Sequence, residues 1–402
     1  MQNRLLIAIA CLLGLFATIG ASLPYPILPP LFAAGAPNGM NSFLGLPPKL
    51  LFGLALTINP LGLLIGSALL GPLSDRYGRR PVLIMTALGA AAGHAATVGA
   101  LALESYPLLI AARFATGLME GNGAVARAML SERLQGELRL RALSWLNSAF
   151  YLGWLAGPLL AGATVGFGIT VPFWIAASAL LLSAATVAAV LPRETPSTAT
   201  TSWWEVARDQ HSLNLVRHPQ LRLLFIVQLA YTCGVTAFYE FYPLWLVETG
   251  GYGTIGIAWW TAGLCAVMTF AALFAGAPST RPPLVRASHY ALAAALTVAA
   301  LALGNLYVGL CAIILFGIPN AYYNAVVPGW CAEQFSALGQ GAVMGLLSTT
   351  FCLANILMAL AGSVLTLFDT RLVLLLGAIL SAWAAWLLHG WRARLSAAPA
   401  AA

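Results

Sequence analysis

The chain has 402 residues, of which 60% are hydrophobic and 8% charged, with a formal net charge of +7 and a mean hydropathy of +0.86. An ordinary soluble domain carries about 25% charged residues, so this composition cannot cover a water-soluble surface and excludes that class. A nucleic-acid binder is excluded as well, because no arginine cluster with interleaved aromatics stands outside the connections between apolar runs.

A hydrocarbon core about 30 Å thick takes roughly 20 apolar residues per helical crossing. Apolar segments at 5–32, 50–72, 81–103, 107–129, 142–164, 170–191, 221–247, 255–277, 287–304, 306–328, 341–364 and 370–391 therefore predict twelve transmembrane helices. The first is a helix rather than a secretory signal, since it runs past Arg4 into prolines with no small-residue cleavage site. Its end, Gly20 to Pro29 with Tyr25 and Pro26, carries prolines that interrupt the backbone ladder, either as a plain kink or beside a cavity.

Between spans 2 and 3 lies Gly71-Pro72-Leu73-Ser74-Asp75-Arg76-Tyr77-Gly78-Arg79-Arg80. So short a connection calls for Gly71 and Gly78 where the helices approach, while Arg76, Arg79 and Arg80 stay at the anionic lipid surface. Anchoring alone would not require Asp75. In span 3, His94 reads either as a packing residue or as a proton relay.

Span 4 is the most informative for mechanism. Arg113, Glu120 and Arg127 are seven apart, which on one continuous helix puts three charges on a single stripe about 10 Å between neighbours. Such a stripe cannot face lipid, so it faces a cavity or pairs internally. Glu120 is accordingly either a proton carrier or a member of a structural ion pair with Arg113 or Arg127.

Span 5 carries Gly153, Gly157, Pro158 and Gly162, a smooth face for close helix packing. In span 7, Glu240 is the other acid well inside a predicted crossing, flanked by Tyr239 and Tyr242. These aromatics suit either a binding cavity or an interfacial belt. Asn320, Tyr322, Tyr323 and Asn324 of span 10, with Gln228 and Tyr231 of span 7, could dock substrate or bond neighbouring helices.

Fifteen of the nineteen basic residues fall on one side when both termini are cytoplasmic, against Lys49 and Arg371 on the other, with Arg113 and Arg127 inside a span. That asymmetry sets the orientation. The longest polar stretch, 192–220, includes Trp203 to Arg208 as a candidate interfacial helix. It separates an amino-terminal half (1–191) from a carboxy-terminal half (221–402). Tyr25-Pro26 recurs as Tyr242-Pro243 and Ala161-Gly162 as Ala361-Gly362, which fits two repeated halves. The six cysteines stand singly, without the close pairing of a zinc site. Neither a nucleophile–base pair nor a phosphate loop points to an enzyme.

The run from Gly71 to Arg80 resembles the signature of the major facilitator superfamily, Gly-x-Leu-x-Asp-Arg-x-Gly-Arg-Arg/Lys, and matches at every defining position. Gly20, Pro26 and Pro29 resemble the helix 1 motif of the twelve-helix drug:proton antiporters, the branch that includes tetracycline exporters. The run from Gly153 to Gly162 resembles their helix 5 signature with its last glycine one residue late. Arg113 and the following glycines resemble the superfamily's helix 4 motif.

The resemblance implies an all-α membrane protein, two six-helix halves rocking around a cavity lined by helices 1, 4, 7 and 10. It implies a latch at Gly71, Asp75, Arg76, Gly78, Arg79 and Arg80. The candidate cavity residues are Tyr25, Pro26, Tyr239, Tyr242, Asn320 and Asn324. Proton coupling is expected at Glu120, Arg113 and Glu240. The expected activity is proton-coupled export of a small organic molecule, with uptake as the alternative, by a monomer in a bacterial inner membrane that needs no metal or cofactor.

This sequence departs from the pattern in three places. Helix 1 lacks the embedded acid of many drug antiporters, Glu120 stands where the family usually has a small residue, and the loop from Gly276 to Arg281 lacks the aspartate of the first-half signature.

Overall fold

The structure is a computed structural model that describes residues 2–33, 35–192, 216–275, 280–335 and 340–397. Among the described residues the regular elements are helices. They are α1 (Gln2–Ser22), α2 (Pro24–Phe32), α3 (Pro48–Tyr77), α4 (Arg79–Ala102), α5 (Tyr106–Glu120), α6 (Gly123–Arg133), α7 (Gly136–Thr164) and α8 (Val171–Val190). The later ones are α9 (Pro219–Gly250), α10 (Thr254–Ala275), α11 (Pro283–Ala302), α12 (Leu306–Gln334), α13 (Gln340–Leu365) and α14 (Thr370–Ala397). Several begin with proline in the first turn, where a missing N–H costs nothing. Some run through internal prolines, as α7 does at Pro158 and α9 at Pro243.

The helices are apolar on both faces, and the two faces have different neighbours. In α8, Phe173, Ala177, Leu180 and Val187 are buried while Trp174, Leu181 and Leu182 lie outward. A helix apolar all round belongs in a membrane, with one side on protein and the other on lipid tails.

Eleven helices among the described residues are long and apolar enough to cross a bilayer. The twelfth expected crossing is present as two pieces. The segment expected as one helix over 107–129 stops at Glu120 and restarts at Gly123, so neither α5 nor α6 spans alone. Gly121 and Asn122 at the break are both buried. The first crossing is interrupted in the same manner at Leu23, between α1 and α2.

The chain divides into two compact units, Met1–His211 with Thr254–Ala258, and Ser212–Gly253 with Trp259–Ala402. Most of the expected connection, including Trp203 to Arg208, lies at 193–215 outside the described residues. In the first unit α1 lies along α7, α3 along α5, and α4 along α5 and α8. A buried cluster built on Leu13, Leu83, Val125, Met129, Leu146 and Val187 joins α1, α4, α6, α7 and α8. In the second unit α9 lies along α13 and α14, and α11 along α12 and α14.

One seam decides where the polar groups meet. A Cβ at Gly62 or Gly66 of α3 would fall on the backbone of Phe114 or Leu118 in α5, and one at Gly117 would fall on the backbone of Asn59. The α3 and α5 backbones therefore touch, as small residues allow in a membrane. This contact brings Asn59 level with the end of α5.

Candidate functional site

At that level the first unit buries a set of polar side chains from three helices. Glu120 ends α5, with a side chain only 3% exposed. Its Oε2 accepts a hydrogen bond of 3.2 Å from Asn59 Nδ2, which also donates to the Arg113 carbonyl at 3.3 Å. Its Oε1 lies 3.4 Å from Nε2 of His94 on α4, and the two make no hydrogen bond at that geometry. His94 is fully buried, with neither ring nitrogen hydrogen-bonded, and its ring centroid is 6.3 Å from that of Phe173. Gly20 of α1 closes the site: a Cβ there would collide with the His94 ring and approach Glu120 Oε1.

Arg113, one helical stretch earlier on α5, is 3% exposed and donates from Nη2 to the Ala21 carbonyl at 3.2 Å. Burying a guanidinium is costly unless opposite charge and acceptors stand near. Glu120 and Tyr25 are both within its electrostatic reach. Arg113 and Glu120 form no direct ion pair.

The expected three-charge stripe is thus not a property of one helix. The break at Gly121–Asn122 places Arg127 on α6, where it is half-buried, donates to Asn147 at 3.4 Å and lies 5.0 Å from the centre of the Phe150 ring. Glycines on both sides of Glu120 and the close passage of α3 at Gly66 favour the break over a continuous helix.

The corner between α3 and α4 has a second polar arrangement. Gly78 takes φ +94°, a conformation strained for other residues, and so links two helices without a loop. Arg79 is its hub. It pairs with Asp75 and with Glu132 of α6, and contacts Ser74 Oγ and the Gly71 carbonyl. Arg80 donates to the Ala188 carbonyl at 2.6 Å, near the end of α8, where a cation is favoured. Arg76 and Asp75 are exposed. Gly71 differs from expectation, because a Cβ there meets no described atom within 4 Å; helix approach at this corner does not depend on it.

Of the helix 5 glycines, Gly153 and Gly157 lie against α1, where a Cβ would overlap the backbone of Leu15 and Ile19 and the side chains of Thr18 and Ser22. Pro158 is buried beside them and Gly162 is half-buried near the end of α7. Tyr25 packs its ring 5.4 Å from that of Trp154 on α7, and Pro26 is buried.

In the second unit, Asn320 of α12 collects hydrogen bonds. It donates to Tyr239 at 3.2 Å and accepts from Tyr231 at 3.3 Å and from Asn324 at 3.0 Å. Tyr231 and Tyr323 stack at 3.5 Å between centroids, and Tyr323 donates to Gln228 at 3.2 Å. Tyr242 is bonded to Thr261, and Tyr322 lies 5.1 Å from the Tyr290 ring. Glu240 is 1% exposed and neither carboxylate oxygen has a hydrogen-bond partner among the described residues.

The sequence left His94 open between a packing residue and a proton relay, and it did not single out Asn59 or Glu132. Asn59 carried a usable signal, an amide in the middle of an apolar span. Glu132 carried none, because its partner stands on another helix.

A protein of long apolar helices, some of them interrupted, with charges buried inside a helical unit is of the membrane-transporter class. The chain belongs to the Major Facilitator Superfamily, whose family profile it matches over residues 10–357, and that family is one of membrane transporters rather than enzymes. It is 31% identical over 209 residues to the class B tetracycline resistance protein of Escherichia coli, covering 51% of this chain and 48% of that one. It is 30% identical over 202 residues to a candidate niacin/nicotinamide transporter of Bacillus subtilis, covering 47% and 46%. The matches thus span about half the length of these curated relatives. The structure of the human organic anion transporter MFSD10 (TETRAN) superposes with a TM-score of 0.71 at 19% identity over 96% of this chain and 99% of that one, a likeness of fold.

Proposed function

We propose that this chain is a proton-coupled secondary transporter that exports a small organic molecule across the cell membrane by alternating access, with Glu120 as its proton-binding acid. The observation that carries this reading is the setting of Glu120. It is a buried carboxyl at a break in a crossing, with one oxygen held by Asn59 and the other unbonded beside His94. A carboxyl so placed can hold or release a proton without unfolding its surroundings, and Arg113 balances its charge when the proton leaves.

Export is supported by the similarity to tetracycline resistance proteins and by the glycines and proline of α7. The protein works as a monomer whose two halves alternate access, with the corner at Asp75 and Arg79 as a latch and both termini on the cytoplasmic side. Glu240 is the second coupling candidate. Tyr25, Pro26, Tyr239, Tyr242, Asn320 and Asn324 are the candidate cavity residues.

The test is transport by reconstituted vesicles under an imposed pH gradient, with a panel of small amphiphilic compounds that begins with tetracycline. Accumulation in acid-inside vesicles, lost in Glu120→Gln, is expected for proton-coupled export. Accumulation in alkaline-inside vesicles would identify uptake instead. Undiminished gradient-driven transport by Glu120→Gln would remove Glu120 from the mechanism.

A further inference from the structure

Two buried groups with unmet bonding capacity face each other in the first unit. A neutral imidazole carries one N–H and one lone pair, and both nitrogens of His94 are without a hydrogen bond. Glu120 Oε1 is likewise without one, and it is 3.4 Å from Nε2. Leaving such groups unsatisfied away from water is expensive, and native structures rarely do so without a use. A packing histidine would have found a carbonyl or hydroxyl for at least one nitrogen.

We infer that His94 and Glu120 act as one proton-holding pair, in which a single proton is shared between His94 Nε2 and Glu120 Oε1 over the space left by Gly20. This rests on the reading of Glu120 as the proton-binding acid and adds His94 as a member of the site. Uptake of one proton takes the pair from a carboxylate beside a neutral imidazole to either a carboxylic acid bonded to Nε2 or an imidazolium bonded to the carboxylate. In both forms the facing nitrogen and oxygen are satisfied.

The surrounding groups set the charge balance. From α5, Arg113 is within electrostatic reach of Glu120 and of Tyr25 of α2. From α3 comes Asn59, and from α8 the ring of Phe173. Arg127 of α6 is turned to Asn147 and Phe150. The unprotonated pair therefore neutralises Arg113, and the protonated pair leaves one positive charge in the cluster.

The pairing is tested by difference titration of detergent-purified protein. The native chain, Glu120→Gln, His94→Asn, Gly20→Ala and the Glu120→Gln/His94→Asn double variant are each titrated from alkaline pH. The native chain is expected to take up one proton more than the double variant in the first step. Glu120→Gln loses that step. In His94→Asn the midpoint of the step is expected to fall measurably below the native one, because the imidazole no longer helps to hold the proton. Gly20→Ala, which removes no titratable group but wedges a methyl against the imidazole, shifts the step in the same direction and carries the test if His94→Asn fails to fold. Midpoints in His94→Asn and Gly20→Ala that coincide with the native one overturn the pair and leave Glu120 as the acid. Equal uptake by the native chain and Glu120→Gln overturns both readings.

Discussion

Replacing Gly117 by alanine tests whether the backbone contact between α3 and α5 builds the site. A Cβ at this position would stand 3.0 Å from the carbonyl carbon and 3.0 Å from Nδ2 of Asn59, and closer still to the carbonyl oxygen. Carbon contacts settle near 3.5–4.0 Å, so the helices must part by about 1 Å. The two hydrogen bonds of Asn59 Nδ2, at 3.2 and 3.3 Å, do not survive a shift of that size. Overpacking costs about 1–3 kcal/mol and an orphaned buried partner about 1–3 kcal/mol, against about 1 kcal/mol returned by alanine's better helix propensity, for a net loss of about 1–5 kcal/mol. Thermal unfolding in detergent, followed by size exclusion, reads the stability, and gradient-driven transport per folded molecule reads the site. A native melting temperature together with native transport would refute the reasoning.

Glu240→Met removes a buried carboxyl with neither oxygen bonded and replaces it with an apolar side chain of similar size. Stability is expected to rise by about 1–3 kcal/mol, measured by the same unfolding assay, while a coupling role for Glu240 would show as a fall in transport. Orientation is checked by labelling with a membrane-impermeant maleimide in a cysteine-free background. Lys49→Cys is expected to react in intact cells and Arg133→Cys only after permeabilisation. The reverse pattern would invert the topology.

The crossings were legible because each is a long apolar run between turn residues, and a bilayer leaves the chain few other choices. The break in the fourth crossing was not, although its ingredients were visible. Gly117, Gly121 and Gly123 surround Glu120, but glycines alone do not tell a packing seam from an interruption. What separates the two is the passage of Gly66 against Gly121, a long-range contact that periodicity cannot report. The acids were found because charge inside an apolar run is conspicuous, whereas His94 and Asn59 gained meaning from meeting Glu120 across three helices. Arg79 was placed in its motif, but its pairing with Glu132 depends on the end of α6 reaching the corner.

The interrupted crossing also bears on how the chain enters its membrane. Translocon scales set about 2.5–3.5 kcal/mol against each arginine or aspartate held at the centre of an isolated helix. The segment Tyr106–Arg133 contains Arg113, Glu120 and Arg127 and is not even one continuous helix. It has little reason to leave the insertion machinery alone. The groups that bond its buried charges, the Ala21 carbonyl for Arg113 and the Asn59 amide for Glu120, are synthesised before it on α1 and α3. The expected consequence is cooperative insertion, in which these crossings leave the translocon together rather than one at a time.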